Sequence, residues 1–381
     1  MWSSLLGISC LILAVRRLFK KWCFVSRFPN GHVTKEKDDQ MAEVEGRMWP
    51  QLSVYQHVER GLKKNPHGPA VICLMEPSAS IQDLIAGCSE DSEGKEKPVA
   101  FTLTYMQLHR TALKLANGLL AIGIQPHTRM MMLIPNGADY AVLLWACILL
   151  RLTYVNIEPA CLETSGFMEL KHRLQTIKPQ IVVAPDVQSA KPIDVAIADL
   201  RLPPPVRLCL SDPASLSTAW TSLLAVATVA SAHALMDDAS LISAARHDDA
   251  ARINSIMFTS GTSGMPKACP QTVAAISHAL HSQEWLIDPD SGVAKYALMQ
   301  PHNARGIAPA QTLQTWQAGG AVVLTGQTFR SVDPSMFLGR DEGLVLTIWS
   351  DAQRSRCDPG HRTAWSELPG ADTTHGPRIC H

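Results

Sequence analysis

Hydroxyls, glycines and one lysine are concentrated in Phe258-Thr259-Ser260-Gly261-Thr262-Ser263-Gly264-Met265-Pro266-Lys267, and that mixture suits a loop that grips a polyphosphate. Gly261 and Gly264 allow positive φ and a close backbone approach, so successive N–H groups can form a concave nest for an anion. Thr259, Ser260, Thr262 and Ser263 add hydroxyl donors, and Lys267 adds a point charge matched to phosphate oxygens. The spacing is not that of a Walker A loop, because Met265-Pro266 separates the last glycine from the lysine, which disfavours a P-loop hydrolase. By composition alone such a run is an ordinary solvated turn. Its neighbours argue otherwise. Ile253 to Phe258 is an apolar run of strand length leading into it, and Val273-Ala274-Ala275-Ile276 opens a helix-compatible stretch after it. A glycine-rich loop leaving a strand is a common seat for nucleotide phosphates.

The elements that must position this loop are legible upstream. Thr104 followed by Gln107 is a capping box, and Leu108, Ala112, Leu115 and Leu119 share one helical face before Gly123 ends the helix. Met130 to Ile134 reads as a buried strand, Asp139 to Leu150 as an apolar helix, and Tyr154 to Ile157 as the next strand. Phe167 to Ile177 reads as an amphipathic helix and Gln180 to Ala184 as a further strand. Strand and helix alternate, so the expected architecture is an α/β domain with a parallel sheet. The 139–150 helix is too short for a bilayer, which needs about 20 residues, and is expected in the core. Ser89 to Lys97 reads as a charged linker, Leu202-Pro203-Pro204-Pro205 as a stiff turn, and Ala214 to Ala250 as helical filler.

The loop resembles the signature of the adenylate-forming (AMP-binding) enzymes, the superfamily of acyl-CoA synthetases, luciferase-like ligases and adenylation domains of peptide synthetases. Residues 259–267 match their hallmark Ser/Thr-Ser-Gly-Thr-Thr/Ser-Gly-x-Pro-Lys throughout. Thr104-Tyr105, Leu108, Leu115-Ala116-Asn117-Gly118-Leu119 and Gly123 resemble the family's first helix, and Ile134-Pro135-Asn136 with Tyr140 its next strand and turn. Tyr154-Val155-Asn156-Ile157-Glu158-Pro159 is similar to its Tyr-Val-Pro-Leu-Asp-Pro segment, and Gln317 to Leu324 to its glycine turn into a strand. The resemblance runs from about Leu52 to Leu338. It implies an incomplete AMP-binding domain at 50–338: a layered α/β domain of the acyl-CoA synthetase type, truncated and lacking the small C-terminal domain.

The same resemblance implies the chemistry. A carboxylic acid attacks the α-phosphorus of ATP, with Mg2+ neutralising phosphate charge, and a thiol such as CoA then displaces AMP. The residues implied to hold the ATP phosphates are Thr259, Ser260, Gly261, Thr262, Ser263, Gly264 and Lys267. The family's Pro-x-x-His-x-x-Gly is one residue short here, in Pro301-His302-Asn303-Ala304-Arg305-Gly306, so either His302 or Asn303 is the candidate for the acyl pocket. Ala268 replaces the glycine that usually follows the lysine, and Arg151 one that often precedes the Tyr-Val segment. The family's ribose-binding aspartate and catalytic C-terminal lysine belong to segments not found after Leu338, so no catalytic residue is assigned. Acid–CoA ligase is the expected activity. A catalytically inactive truncated fragment and an adenylation domain loading a carrier protein stay open as alternatives.

Lys plus Arg equals Asp plus Glu at 34 each, so no global field recruits nucleic acid. The ten cysteines include no Cys-x-x-Cys pair, which fits a reducing compartment and cysteines used as small core residues. Leu5 to Val15 is apolar and Arg16, Arg17, Lys20 and Lys21 follow, so residues 1–30 read as a plain leader or an anchor on a membrane surface, not a spanning helix. The expected location is the cytoplasm or the periphery of an intracellular membrane. From 339 to 381 apolar periodicity stops, as in a frameshifted, intron-derived or truncated reading frame. Cys357, His361, His375, Cys380 and His381 fit no zinc spacing, and no metal site is expected.

Overall fold

The computed structural model describes residues 50–73, 77–86, 100–210, 219–232, 237–259, 264–282, 296–299 and 301–325. The expected leader, the Ser89 to Lys97 linker, the loop residues Ser260, Gly261, Thr262 and Ser263, and the 339–381 tail lie outside them.

Helix α1 (Val54–Lys64) is followed by β1 (Pro69–Cys73), α2 (Ala79–Ala86), β2 (Phe101–Thr104) and α3 (Tyr105–Ala121). Alternation then continues through β3 (Arg129–Met132), α4 (Ala138–Leu150), β4 (Thr153–Asn156), α5 (Phe167–Ile177), β5 (Ile181–Ala184), α6 (Val187–Asp199) and β6 (Val206–Cys209). Next come β7 (Trp220–Ser222), α7 (Leu223–Ala232), α8 (Asp238–Arg246), β8 (Ile253–Thr259) and β9 (Lys267–Thr272). The last elements are α9 (Val273–Ser282), β10 (Tyr296–Met299), α10 (Ile307–Ala318) and β11 (Ala321–Leu324).

The strands form two sheets. A seven-stranded sheet has the order β7-β6-β5-β3-β4-β8-β9 and is parallel except for its terminal β8/β9 pair. A four-stranded sheet has the order β10-β11-β1-β2, with only β1/β2 antiparallel. Side chains of a strand alternate between faces, and here that period divides two cores. Met130, Met132 and Ile134 face one apolar cluster, and Met131 and Leu133 the other. The first cluster contains α3 and α4, the second α5 and α6. Helix α4 packs on both β1 and β4, between the sheets, and every one of its residues is buried, as its largely apolar sequence requires. Trp145 of α4 stacks edge-on with Tyr105, His109 and Trp316 at 6.4, 5.8 and 5.7 Å. Trp316 also donates to the Ala70 carbonyl at 3.0 Å, which ties α10 to β1.

Local signals explain most boundaries. The capping box at Thr104 and Gln107 forms, as does a second one at Ser53 and Gln56. Arg151 caps α4 in the left-handed conformation at φ 57°, which accounts for a glycine preference there and costs an L-residue about 1–2 kcal/mol. Ala268 lies in β9 opposite Phe258 with ordinary extended backbone. Two expectations are corrected. The Ala214 to Ala250 stretch is not helical throughout, since Trp220–Ser222 pairs with β6. Lys267–Thr272 is a strand where none was expected. Its polar sequence contains Pro270, and it sits on the sheet edge, the position where proline and polar residues are tolerated in strands.

Gly118 lets α3 approach α7: a Cβ there would lie 2.2 Å from the Val226 carbonyl oxygen. Gly118→Ala is therefore expected to destabilise the domain by about 1–3 kcal/mol, although alanine is the better helix former by about 1 kcal/mol. Urea denaturation measures this, and an unchanged or higher midpoint would contradict the close packing.

His57 of α1 is fully buried and joins two other helices, its Nδ1 lying 3.2 Å from Gln317 Oε1 and its Nε2 2.9 Å from Ser277 Oγ. Burial, then His281 and Arg60, push its pKa down to about 3. The folded imidazole stays neutral while the unfolded one takes up a proton below about pH 6.5. Its stabilising contribution is complete above that pH and is lost as pH falls towards about 3, at up to about 1.4 kcal/mol per pH unit. Denaturation midpoints across this range are expected to slope less in His57→Gln than in the parent; identical slopes would contradict it.

Candidate functional site

Strand β8 carries the chain to the carboxyl edge of the parallel strands, the edge at which ligands of open α/β sheets bind. Thr259 ends β8 and pairs across the hairpin with Lys267, the first residue of β9. The two ends of the polyphosphate-type loop, Thr259 and Lys267, are thus held opposite each other by the β8/β9 ladder. Gly264 has φ 148° and is exposed, a backbone state that L side chains resist. Lys267 is also exposed and is available to an anion.

Helix α5 braces the hairpin. His172 Nε2 donates to the Pro266 carbonyl at 2.9 Å, and the Arg173 guanidinium lies 5.3 Å from the Phe258 ring centroid. Arg173 is itself paired with Glu169. The α5 sequence matches its expected range, but these two contacts were not readable from it.

The loop 301–306 lies against the same edge and carries the two other candidates. Asn136 Nδ2 donates to the Pro301 carbonyl at 2.8 Å, and its Oδ1 accepts from the Asn303 backbone N–H at 2.8 Å. Asn156 Nδ2 donates to the Asn303 carbonyl at 3.0 Å and to the Tyr140 hydroxyl at 3.1 Å. The side-chain Nδ2 of Asn303 donates to the Ile134 carbonyl at 3.3 Å. Asn136, Asn156 and Asn303 are all buried. Arg305 reaches Glu158, beyond the end of β4, with its Nε and Nη2 at 3.0 and 2.9 Å from Oε1.

His302 is held on both nitrogens. Its Nδ1 accepts from the Ala304 N–H at 3.1 Å and its Nε2 donates to the Ile134 carbonyl at 3.2 Å, which assigns the neutral Nε2-protonated tautomer. Burial lowers its pKa, opposed by Glu158 and the Ile134 hydrogen bond. The ring is a neutral strut. His302 and Asn303 therefore sit in a polar knot. The loop then leads to Gly306, which lines a cavity of about 140 Å3 with Tyr154, Met257, Ile276, Pro309 and Leu313.

The structure brings together Thr259, Gly264 and Lys267 on the hairpin, and His302 and Asn303 beside the ends of β3 and β4. β4 pairs with β8, so the two groups share one edge. Asn136 and Asn156 are site residues to which the sequence alone assigns no role. The available signal was an asparagine at the carboxyl end of a buried strand, where only a hydrogen-bonding task justifies its burial.

Asn136→Ala would leave the Pro301 carbonyl and the Asn303 N–H without their partners. The expected cost is about 1–3 kcal/mol, together with faster trypsin cleavage after Arg305; an unchanged melting temperature and cleavage rate would contradict the knot.

Comparison with known proteins agrees with this geometry. The AMP-binding enzyme family profile matches residues 91–342. An acyl-CoA ligase of Pestalotiopsis microspora is 41% identical over 281 residues, which are 73% of this chain and 48% of that protein. The chain thus spans about half the length of this curated relative. The fold is similar to that of the luciferase-like enzyme from the nonluminescent mealworm Zophobas morio, with a TM-score of 0.55 at 17% identity, covering 76% of this chain and 57% of that one. It is also similar to a long-chain-fatty-acid-CoA ligase from Archaeoglobus fulgidus, with a TM-score of 0.50 at 14% identity, covering 74% and 48%. These likenesses concern the fold alone. With a family profile that runs through the parallel strands, the hairpin and the 301–306 loop, the chain belongs to the AMP-binding enzyme family.

Proposed function

We propose that this chain takes part in ATP-dependent activation of a carboxylic acid, with CoA as the acceptor of the acyl group. The observation that carries the proposal is the pairing of Thr259 with Lys267 where the β8/β9 hairpin ends, with Gly264 at positive φ and Lys267 exposed at the carboxyl edge of the sheet. Family membership and the acyl-CoA ligase relative support the same reading.

In this reading Thr259, Ser260, Gly261, Thr262, Ser263, Gly264 and Lys267 hold the β- and γ-phosphates of ATP. A carboxylate oxygen of the acid attacks the α-phosphorus, the bond to the bridging oxygen breaks, and pyrophosphate leaves with the negative charge that the loop is built to receive. The thiol of CoA then attacks the acyl carbon and AMP departs. No group of three or more His, Cys, Asp or Glu side chains among the described residues could hold a metal. Magnesium would arrive with ATP and neutralise phosphate charge. The cavity beside Gly306 is the proposed seat of the acid's carbon skeleton, with the neutral knot of His302 and Asn303, bonded to Asn156, just before Gly306 on the same loop and outside the cavity lining. Neutrality suits that place, since a fixed positive charge would hold the carboxylate away from phosphorus.

In the full chain, Lys267→Ala is expected to weaken MgATP binding about tenfold to a hundredfold, the usual worth of a hydrogen bond to a charged group. Acid-dependent ATP–pyrophosphate exchange is expected to fall with it. Calorimetric titration measures the first, and an unchanged ATP affinity in the variant would count against the assignment.

A further inference from the structure

A cleft of about 470 Å3 opens at the amino edge of the seven-stranded sheet, where β3, β5 and β6 begin. This is the opposite end of the strands from the hairpin, and its volume lies within the range of small-molecule sites. Backbone constraints create it. Gly123, Lys178 and Arg201 follow α3, α5 and α6 in left-handed conformations, at φ 90°, 50° and 51°, and turn the chain towards the sheet. Pro203, Pro204 and Pro205 then approach β6 without backbone N–H donors, so this segment forms a wall and cannot extend a ladder.

The lining has a definite chemistry. Ile124, Leu202 and the three prolines supply apolar walls, Arg129 and Lys178 supply two cations, and no carboxylate lines the cleft. Cations near helix C-termini are the ordinary complement of the helix dipole, which is enough to explain Lys178 and Arg201. It does not explain Arg129, the first residue of β3. Its Nη2 donates to the Lys178 carbonyl at 3.1 Å and its backbone N–H to Gln180 Oε1 at 2.9 Å. These bonds fix the guanidinium at the wall of the cleft. A carboxylate suits a guanidinium in both charge and shape.

We propose that this cleft binds a small organic anion, a carboxylate on a compact apolar body, with Arg129 and Lys178 taking the carboxylate and the prolines and Leu202 covering the body. The site is independent of the hairpin and of the activity proposed for it.

Benzoate and neutral benzamide, each titrated into the full chain and followed by saturation-transfer NMR, with inorganic phosphate added as a competitor of the benzoate signal, test the proposal. Benzoate is expected to bind saturably, benzamide and phosphate at least about tenfold more weakly. Arg129→Gln and Lys178→Gln are each expected to weaken benzoate about tenfold, while Lys267→Ala leaves it unchanged. Lys178 is exposed, so its variant reports on binding even if Arg129→Gln folds poorly. Absence of saturable benzoate binding, equal binding of benzamide or of phosphate, or a loss in Lys267→Ala without one in Lys178→Gln would overturn the proposal.

Discussion

A loop of irregular backbone can lie against a buried sheet edge only if its polar groups find partners, and three buried asparagines meet that requirement here. Asn136 supplies a donor and an acceptor to the 301–306 loop, Asn156 supplies a donor, and Asn303 returns one to the Ile134 carbonyl. Buried main-chain groups without partners cost about as much as lost hydrogen bonds, so this knot fixes where α10 begins. The position of α10 in turn sets one wall of the apolar cavity and brings Trp316 to Trp145. The loop's seat and the contact between the two sheets are thus parts of one arrangement.

The division of labour follows from the parallel topology. All the parallel strands of the larger sheet end on the same side, so loops that follow β3, β4 and β8 must meet there. The α/β alternation buries both faces of β4 and β5, leaving the sheet ends as the places where polar backbone and ligands can interact. At the carboxyl edge the chain presents glycine, hydroxyls and a lysine. At the amino edge it presents left-handed turns after α3, α5 and α6, and Lys178 and Arg201 complement the negative ends of α5 and α6.

Much of this was legible in the sequence, for identifiable reasons. Helix α5 falls on the expected residues 167–177 because its amphipathic period and its ends coincide. Helix α4 was readable as core because thirteen largely apolar residues form a helix of only about 20 Å. The phosphate-type loop was readable because it is contiguous. Strand β9 was not, since its stability comes from pairing with β8 and not from its own polar, proline-containing sequence. The asparagine knot was hidden for a related reason: its partners are separated by some 147 to 169 positions, and an isolated asparagine reads as surface. Arg151 was a misfit in the sequence and becomes intelligible as the left-handed cap of α4.

The central claim is that the hairpin tip and the 301–306 loop form one ligand-binding edge. Amide hydrogen exchange of the full chain with and without MgATP tests it most directly. The account predicts slower exchange in peptides covering 259–267 and 301–306 when MgATP is present, with little change in peptides covering 123–129 and 202–206. Saturable MgATP binding that protects the amino-edge peptides and leaves the hairpin unchanged would contradict it.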